Sequence, residues 1–365
     1  MLKVLFDARP IRPPISGVAR LILDLFSSLN KKVNLYAFAQ ANMGRNSELQ
    51  NLKIFDNQVI TDRNAFFENI LMELKHPPLE IRNIKKNIDL VHETFYGCIP
   101  LKNVPKVSSI YDVIPLDFPH YFNFNNRFFS KKNFHRQVKE SKVIFTISEY
   151  SKKRIMHYSK LDIEKKIKVI PCMPSQQIII NKQSYNKFTI NNLDILVIGN
   201  IEPRKNHLTV AKAIKYLNQV SEEKYRLIVI GKKIFQGDEI IAELNEILGE
   251  NLIYKGFVSE SEKIKLLQST YCSVVASEYE GFGIPVIEAG IIGSPCFIAN
   301  NSSLSELIVN EKQSFETFDH LQLAENIRNH RELLLTNHEP ASYYKYCSDA
   351  IYEGYIDGYH SIIEK

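Results

Sequence analysis

Cysteine is scarce in this sequence, with five cysteines among 365 residues and none of them close to another. No pair has the C-x-x-C spacing of common zinc sites, and the wide separations argue against a disulfide framework. We therefore expect buried free thiols. The five positions are Cys98, Cys172, Cys272, Cys296 and Cys347.

Long hydrophobic runs are also missing. No apolar stretch reaches the roughly 18 residues of a membrane-spanning helix, so the sequence predicts none. The first residues lead directly into a short apolar run containing Asp7 and lack the features of a secretion signal. We therefore expect a cytoplasmic protein. The net charge of +5 and a pI near 8.7 are mildly basic and indicate no class of partner by themselves.

Two common nucleotide-binding motifs are absent as well. The sequence contains no G-x-x-x-x-G-K-[ST], which argues against a P-loop nucleotidase. No G-x-G-x-x-G follows a predicted strand, because the Gly281-Phe282-Gly283 segment lacks the third glycine. A nicotinamide-dependent dehydrogenase is therefore not expected.

Short β-branched runs alternate with helix-period segments in the first half, which predicts an α/β domain with a parallel sheet over residues 1–172. A helix is predicted at Val18–Leu29, where apolar residues recur on one face. The predicted strands are Lys3–Ala8, Val33–Ala39, Leu52–Asp56, Asp89–His92, Val107–Asp112, Val143–Ser148 and Ile167–Ile170.

A polar stretch with two prolines then predicts an interdomain linker over residues 173–192, after which the alternation starts again. A second α/β domain is predicted over 193–342. Its predicted strands are Asp194–Gly199, Arg226–Ile230, Leu252–Tyr254, Ser273–Ser277 and Cys296–Ala299, and its predicted helices are Leu208–Val220, Asp238–Leu248, Ser261–Gln268 and Pro285–Ile292. A tyrosine-rich helix is expected within 343–365, packing across the domains or back onto the first one.

Open α/β sheets bind ligands at the carboxyl ends of their strands, so two such domains predict a cleft lined by strand-to-helix loops. One loop carries Glu280, Gly281 and Gly283 before a helix that contains Glu288. We place Glu288 in the first turn of this apolar helix, where a ligand hydroxyl pair would satisfy its carboxylate. Favourable interaction with the helix N-terminus is the alternative explanation.

A second loop follows the first strand of the second domain. Gly199 ends that strand, Asn200 follows it, and Arg204 and Lys205 precede a helix. Two cations beside a helix N-terminus suit a diphosphate, because their charges add to the oriented backbone dipoles. A solvated Arg–Lys turn is the alternative.

Glu280 and Glu288 are separated by seven residues, and the segment EGFGIPVIEA resembles the signature of the family 4 retaining glycosyltransferases, which have the GT-B fold. Other segments resemble the family as well, so the similarity covers nearly the whole chain. They are Asp7–Arg9, Ser16–Arg20, Tyr111–Pro115, Ile147–Glu149, Gly199–Asn206, Gly256–Val258, Gly293–Pro295 and Ser302–Glu306. The chain looks most like bacterial transferases that build lipopolysaccharide O-antigen or capsule chains, many of them mannosyltransferases.

The resemblance implies a fold of two Rossmann-like domains facing across a cleft, with the nucleotide sugar bound by the second domain. Arg204 and Lys205 would bind the donor diphosphate, and Glu288 would accept hydrogen bonds from the ribose hydroxyls. Glu280 would hold hydroxyls of the donated sugar. The amides of Gly281, Phe282 and Gly283 would contact sugar or phosphate, and Gly17 would let a first-domain loop approach the phosphates or the acceptor, with Arg20 on the helix behind it.

The resemblance also implies retention by same-face substitution, in which the departing phosphate helps to deprotonate the acceptor. The implied donor is a nucleoside diphosphate sugar, with GDP-mannose favoured, and the implied acceptor is a glycan or a glycan linked to a lipid diphosphate. No cofactor or metal is expected: the other large glycosyltransferase fold usually has an Asp-x-Asp that holds a metal, and this sequence has none.

The chain departs from the family pattern at three positions. Tyr111 stands beside Asp112 where relatives commonly have His-Asp, and a phenol cannot reproduce both imidazole nitrogens. Gly17 is a single glycine where relatives often have two, and Ser305 replaces a proline before Glu306. Two alternatives follow: a catalytically weak glycan- or nucleotide-binding subunit, which Tyr111 favours, and a nucleotide-sugar epimerase on the same fold.

Cations interleave with the aromatic residues Phe128, Phe129 and Phe134 between positions 127 and 160. They predict either a surface for anionic lipid, where a lipid-linked acceptor would lie, or an ordinary solvated face. No motif indicates nucleic-acid binding. The cations are Arg127, Lys131, Lys132, Arg136, Lys139, Lys142, Lys152, Lys153, Arg154 and Lys160.

Overall fold

The computed structural model of the protein describes residues 1–11, 17–40, 58–61, 71–72, 74–122, 124–184, 193–329 and 340–363. The chain forms two compact units, one of Met1–Pro171 with Asp349–Lys365 and one of Cys172–Ser348. Each unit contains its own parallel sheet.

The first unit has a seven-stranded sheet in the order β3-β2-β1-β4-β5-β6-β7, with parallel pairing throughout. The strands near the middle of this sheet are buried along their length. Val4, Leu5 and Phe6 are fully buried, and so are the polar side chains of His92 and Glu93. The strands are β1 Lys3–Asp7, β2 Asn34–Gln40, β3 Gln58–Thr61, β4 Leu90–Thr94, β5 Lys106–Ser109, β6 Val143–Thr146 and β7 Ile167–Val169.

Helices connect these strands by the crossovers that parallel pairing requires. Helix α1 buries Leu25, Phe26 and Leu29 on its apolar face. Helix α5 begins after Ser148, whose hydroxyl accepts a hydrogen bond from the backbone N–H of Ser151 and so caps the helix. The helices of this part are α1 Gly17–Leu29, α2 Leu79–Ile84, α3 Ile114–Asp117, α4 Phe124–Glu140 and α5 Glu149–Ser159.

The second unit has a six-stranded parallel sheet in the order β10-β9-β8-β11-β12-β13. Its strands are β8 Leu193–Ile198, β9 Tyr225–Ile230, β10 Leu252–Gly256, β11 Cys272–Val275, β12 Cys296–Ala299 and β13 Ser314–Phe315. Its α-helices are α6 Gln176–Ile180, α7 His207–Val220, α8 Gly237–Leu248, α9 Glu260–Ser269, α10 Ile284–Ile292 and α11 His320–Arg328.

The last part of the chain is divided between the two units, whereas the sequence predicted one segment over 343–365. A 3-10 helix at Pro340–Cys347 belongs to the second unit, where the Tyr343 hydroxyl donates to the backbone oxygen of Leu307 at 2.9 Å. The following helix, α12 Glu353–Ile363, belongs to the first unit. There the Tyr359 hydroxyl lies 2.7 Å from Nδ1 of His92, a fully buried side chain on β4.

The prediction of two α/β units with parallel sheets is confirmed. The predicted strand Leu52–Asp56 lies outside the described residues, and two short strands, β3 and the two-residue β13, were not predicted. Part of the predicted linker, residues 173–192, is structured within the second unit: helix α6 lies there and packs against α9 and α10. Four of the expected buried thiols are buried, and Cys347 is half-buried.

Candidate functional site

The strand order of the second unit reverses at β8, which lies between β9 and β11. The chain leaves β8 toward β9 and returns on the other side at β11, so a crevice opens at the carboxyl ends of these two strands. Both loops that the sequence analysis selected follow these strands. One runs from Gly199 to Asn206, and the other runs from Ala276 to Gly283.

The first loop comes close to the strand beside it through two glycines. A side chain at Gly231, which follows β9, would place its Cβ only 1.9 Å from the backbone oxygen of Gly199. A Cβ at Gly199 would lie 3.3 Å from Cε of Lys205. Both glycines have positive φ, +153° and +149° for Gly199 and Gly231, which other residues rarely adopt. Asn200 follows Gly199 directly, so the close approach of Gly199 to Gly231 also positions the backbone of Asn200.

Arg204 and Lys205 lie on a 3-10 turn, Pro203–Lys205, which ends at Asn206 with φ of +51°. The Asn206 side chain donates to the backbone oxygen of Ala276 at 3.2 Å and thereby ties the first loop to the second. The backbone N–H of Glu278 donates to the backbone oxygen of Arg204 at 2.8 Å, which adds a second tie. The two cations are therefore held against the loop that contains Glu280.

The carboxylate of Glu280 accepts hydrogen bonds from both cations. Arg204 Nη1 donates to Oε2 at 3.2 Å, and Lys205 Nζ donates to Oε1. The Ser277 hydroxyl donates to the same Oε1 at 2.7 Å. Arg204 also donates to the backbone oxygen of Tyr279 at 2.6 Å and pairs with Glu202.

The electrostatic consequence falls on Glu280. Burial alone would raise the pKa of this carboxyl group, but the charges of Lys205 and Arg204 outweigh burial and lower the pKa to about 2. Glu280 is therefore ionised at neutral pH. The cluster holds two cations and one anion at the crevice, besides the Glu202 carboxylate that pairs with Arg204.

Serine and asparagine side chains after β12 fix the backbone of the second loop. The backbone N–H of Glu280 donates to the Ser302 hydroxyl at 3.0 Å, and the Ser303 hydroxyl donates to the backbone oxygen of Glu280 at 2.8 Å. The Asn301 side chain donates to the backbone oxygen of Ser277 at 2.9 Å. Ser302 was expected only as part of a family-like segment, and no role was predicted for Asn301 or Ser303.

Gly281, Phe282 and Gly283 are buried and lead into helix α10. Gly283 precedes the helix with φ of +112°, and a Cβ there would lie 2.8 Å from Cδ1 of Leu307. The Phe282 ring packs against the ring of Tyr346 with centroids 5.6 Å apart. The Phe282 ring thus anchors the loop. The backbone of the loop follows β11, as predicted.

Glu288 lies in the second turn of α10 and not in the first turn as predicted, because the helix already begins at Ile284. Its side chain is 6% exposed, and its Oε1 accepts a hydrogen bond from Nζ of Lys263 on α9 at 2.6 Å. Burial raises the pKa of Glu288, and Lys263 opposes that rise. Lys263 was not predicted as a partner of Glu288.

The remaining predicted site residues belong to the first unit. Tyr111 follows β5 and is 2% exposed, so its ring is a core side chain. Asp112 accepts a hydrogen bond from the backbone N–H of Ile114 at 3.1 Å, and its backbone oxygen accepts from Tyr96. Gly17 is exposed and begins α1. The structure therefore brings together Arg204, Lys205 and Glu280, while Glu288 has its own partner on α9.

A buried ion pair in the first unit was not predicted. The Glu93 carboxylate on β4 is fully buried and accepts from Nη1 and Nη2 of Arg136, each at 3.0 Å. The backbone N–H of Ile99 donates to the same carboxylate at 2.7 Å. This pair fixes the loop after β4.

The predicted basic and aromatic surface is smaller than expected. Arg136 binds Glu93, Arg154 binds Asp117, and Phe134 is fully buried. The exposed aromatic side chains lie in the first half of α4, where Phe124 is 76% exposed and Phe128 is 55% exposed. Arg127, Lys131 and Lys132 are exposed on the same two to three turns.

No group of three or more His, Cys, Asp or Glu side chains suited to a metal ion occurs in the described part of the chain. Among the same residues, no helix combines the length and the apolar character needed to cross a membrane.

The chain is similar in sequence to known glycosyltransferases. Residues 179–346 match the family described as glycosyl transferases group 1. O-antigen chain mannosyltransferase B of Escherichia coli is 24% identical over 339 residues, which cover 84% of each chain. Serotype-specific mannosyltransferase WbdA of Escherichia coli is 26% identical over 281 residues, which cover 71% of this chain but only 34% of WbdA.

Solved structures resemble the whole chain. Anabaena Alr3699/HepE in complex with UDP and glucose has a TM-score of 0.71 at 16% identity, and the match covers 99% of this chain and 100% of that one. The apo form of the lipopolysaccharide outer core galactosyltransferase WaaB has a TM-score of 0.68 at 14% identity, with 99% of each chain covered. At these identities the likeness concerns the fold.

Proposed function

We propose that this chain, which has the GT-B fold and matches glycosyl transferases group 1 over residues 179–346, is a glycosyltransferase that transfers a hexose with retention of configuration. The proposed donor is a nucleoside diphosphate sugar, with GDP-mannose favoured. The proposed acceptor is a glycan, free or linked to a lipid diphosphate, in the synthesis of a cell-surface polysaccharide. The proposed reaction needs no metal, because side-chain cations provide the positive charge.

The cluster of Arg204, Lys205 and Glu280 at the carboxyl ends of β8 and β11 carries this proposal. A diphosphate has the charge and the oxygen acceptors that a guanidinium and an ammonium bind well. A carboxylate held ionised beside them can accept hydrogen bonds from the hydroxyls of the attached sugar. The cluster therefore matches the two chemical halves of a sugar diphosphate.

In the proposed reaction, the bond between the anomeric carbon and the diphosphate oxygen breaks, and negative charge develops on that oxygen. Arg204 and Lys205 stabilise this charge because they are already in place when it forms. The acceptor hydroxyl bonds to the anomeric carbon on the same face, and its proton passes to the departing diphosphate. The products are the extended glycan and the nucleoside diphosphate.

Two curated relatives support mannose as the sugar, since both are mannosyltransferases and one of them builds an O-antigen chain. The UDP complex of Alr3699/HepE supports nucleotide binding by this fold. Mannose and guanosine remain proposals for this chain.

Calorimetric titration of GDP and UDP into the wild type, Lys205→Ala and an exposed-lysine control, Lys224→Ala, tests the proposal. We expect one nucleotide to bind with micromolar affinity, a loss of tenfold or more in Lys205→Ala, and no loss in the control. Transfer from the matching nucleotide-mannose to an oligomannose acceptor would then test the sugar. Absence of nucleotide binding by the folded wild type would instead favour a glycan-binding subunit. The burial of Tyr111, where relatives commonly have His, is consistent with that alternative.

We also propose that the exposed first half of α4 contacts anionic lipid at the cytoplasmic face of a membrane. Phe124 and Phe128 are the exposed aromatic residues, and Arg127, Lys131 and Lys132 supply positive charge on the same part of the helix. Liposome flotation should show binding that increases with anionic lipid and weakens with salt. A Phe124→Ser/Phe128→Ser variant should lose it, and salt-independent or absent binding would contradict the proposal.

A further inference from the structure

Lys263 is the central member of a chain of contacts that ends at Glu288. Its ammonium lies 2.6 Å from Oε1 of Glu288 on α10 and 3.1 Å from Oε1 of Glu260 one turn earlier on α9. The Glu260 carboxylate also accepts a hydrogen bond from the hydroxyl of Ser175, which caps α6. Three helices of the second unit thus converge on one lysine side chain that is 15% exposed.

The two oxygens of Glu288 differ in what they contact. Oε1 accepts the hydrogen bond from Lys263, and no donor among the described residues lies within hydrogen-bonding distance of Oε2. A carboxylate has about four acceptor sites, so one donor leaves most of its capacity unused. Lys263 therefore fixes the orientation of the carboxylate through one oxygen and leaves the second oxygen for another donor.

Packing alone does not require a charge at position 288. The neighbouring positions of α10 are apolar and buried, and they include Val286, Ile287 and Ala289. Replacing a buried ion pair by apolar side chains is often neutral or stabilising, whereas a buried carboxylate without its cation is costly. An ion pair at this position is therefore weak evidence for a stability role and points to a use for the carboxylate.

We propose that Lys263 is a positioning residue for nucleotide binding, which orients the Glu288 carboxylate so that Oε2 accepts hydrogen bonds from the ribose hydroxyls of the donor. This inference rests on the proposed function, because it takes a nucleoside diphosphate sugar as the donor and gives Glu288 the ribose contact that the family resemblance implies. Glu260 and Ser175 have a supporting part: Glu260 shares the ammonium of Lys263, and Ser175 holds Glu260.

The ribose hydroxyls of the ligand distinguish a positioning role of Lys263 from a purely structural one. If Lys263 acts through Glu288, then its removal weakens only those ligands that carry ribose hydroxyls. If Lys263 merely stabilises the fold, then its removal weakens all nucleotides equally. The probes are GDP and UDP, each compared with its 2′,3′-dideoxy form, and affinity is measured by calorimetry.

The variants are Lys263→Met, which keeps the length of the side chain and removes the charge, and Lys265→Met, an exposed lysine on the same helix. We expect the wild type to bind the ribonucleotide at least tenfold more tightly than the dideoxynucleotide. In Lys263→Met this ratio should fall to about twofold through loss of ribonucleotide affinity. Lys263→Arg and Lys265→Met should keep the wild-type ratio.

An unchanged ratio in Lys263→Met would overturn the inference, whether the variant binds both ligands as well as the wild type or both less well. If Lys263→Met does not fold by circular dichroism, Lys263→Gln is measured in the same way and the same ratio decides. A separate result would contradict the proposed function: wild-type protein that binds no nucleotide has no donor site. If the wild type binds nucleotide and prefers the ribonucleotide, the variants test only the role of Lys263.

Discussion

Lys205 and Glu280 are 75 residues apart in the chain, yet the ammonium of one donates a hydrogen bond to Oε1 of the other. The contact joins the loops after β8 and β11, which are neighbouring strands in the sheet. Parallel pairing brings their carboxyl ends to the same edge, so distant segments supply one site. The cations are therefore already oriented, and their charge is partly balanced by a carboxylate.

Replacing Glu280 by Gln should separate binding from transfer. The change leaves the positive charge of Arg204 and Lys205 less balanced, so affinity for the nucleoside diphosphate should hold or rise. Sugar transfer should fall about 100-fold, because a positioned charged partner of the sugar is lost. Calorimetry and a transfer assay give the two readouts. Glu250→Gln, in the turn after α8, is the control, and a tenfold loss of nucleotide affinity in Glu280→Gln would contradict the reasoning.

The pH dependence of thermal unfolding should also show the contribution of the ionised Glu280 to stability. Its pKa of about 2 in the folded protein lies below the value of about 4.3 for an unfolded chain. Its stabilisation is therefore present above about pH 4.3 and is lost as the pH falls toward 2. The difference in Tm between wild type and Glu280→Gln should narrow over this range. A difference that stays constant from pH 6 to pH 3 would exclude the lowered pKa.

Arg136→Met should destabilise the first unit strongly. It removes the guanidinium that binds both oxygens of the fully buried Glu93 carboxylate and leaves Lys106, 3.7 Å from Oε1, as the remaining cation. Breaking a buried pair costs up to about 3–5 kcal/mol, and Lys106 should reduce this cost. Denaturant unfolding followed by circular dichroism measures the change. Lys139→Met, at an exposed position of the same helix, should change stability by no more than about 0.5 kcal/mol. Equal effects of the two substitutions would argue against a buried pair.

Tyr359→Phe removes only the hydroxyl that contacts His92. Burial lowers the pKa of His92 to about 3, so the imidazole is neutral and needs its hydrogen-bond partners inside the core. Leaving one ring nitrogen without a partner should cost about 1–3 kcal/mol. Unfolding in denaturant tests this, with Tyr216→Phe on α7 as a control of the same chemistry. Stability equal to the wild type would show that His92 does not depend on this contact.

Gly231→Ala should disturb the site from outside it, because the added methyl group would lie 1.9 Å from the backbone oxygen of Gly199. We expect a loss of stability above about 2 kcal/mol and at least tenfold weaker nucleotide binding. Gly249→Ala is the matched control: its φ is +54°, and a Cβ there meets no atom within 4 Å. The control should lose some stability, because φ of +54° with ψ of −125° is strained for alanine, but it should keep its nucleotide affinity. Similar binding by both variants would contradict the close-approach argument.

Periodicity and loop chemistry predicted much of this molecule. Short β-branched runs alternate with amphipathic stretches, and that local pattern sufficed for two parallel sheets. Arg204, Lys205 and Glu280 could be selected because they follow strands and stand beside glycines or a helix start. Strand β13 could not be selected, since two residues give no period to recognise.

The partners of the selected residues could not be predicted. Lys263 looks in sequence like its exposed neighbour Lys265, and only the packing of α9 against α10 turns it toward Glu288. Arg136 looked like one more cation of a basic surface, although it reaches the buried Glu93 on a strand 43 residues away. Such contacts depend on helix placement over a sheet, which local sequence does not encode.

In the sequence, helix α12 is separated from the rest of its unit by the whole second unit. The first unit consists of Met1–Pro171 and Asp349–Lys365, and the second consists of Cys172–Ser348. During synthesis, the second unit emerges from the ribosome in full before the tyrosines that cover His92 become available. The second unit can therefore complete its structure while the first still exposes core side chains to other proteins. The first unit, although its synthesis begins first, is completed last, when its final helix becomes available.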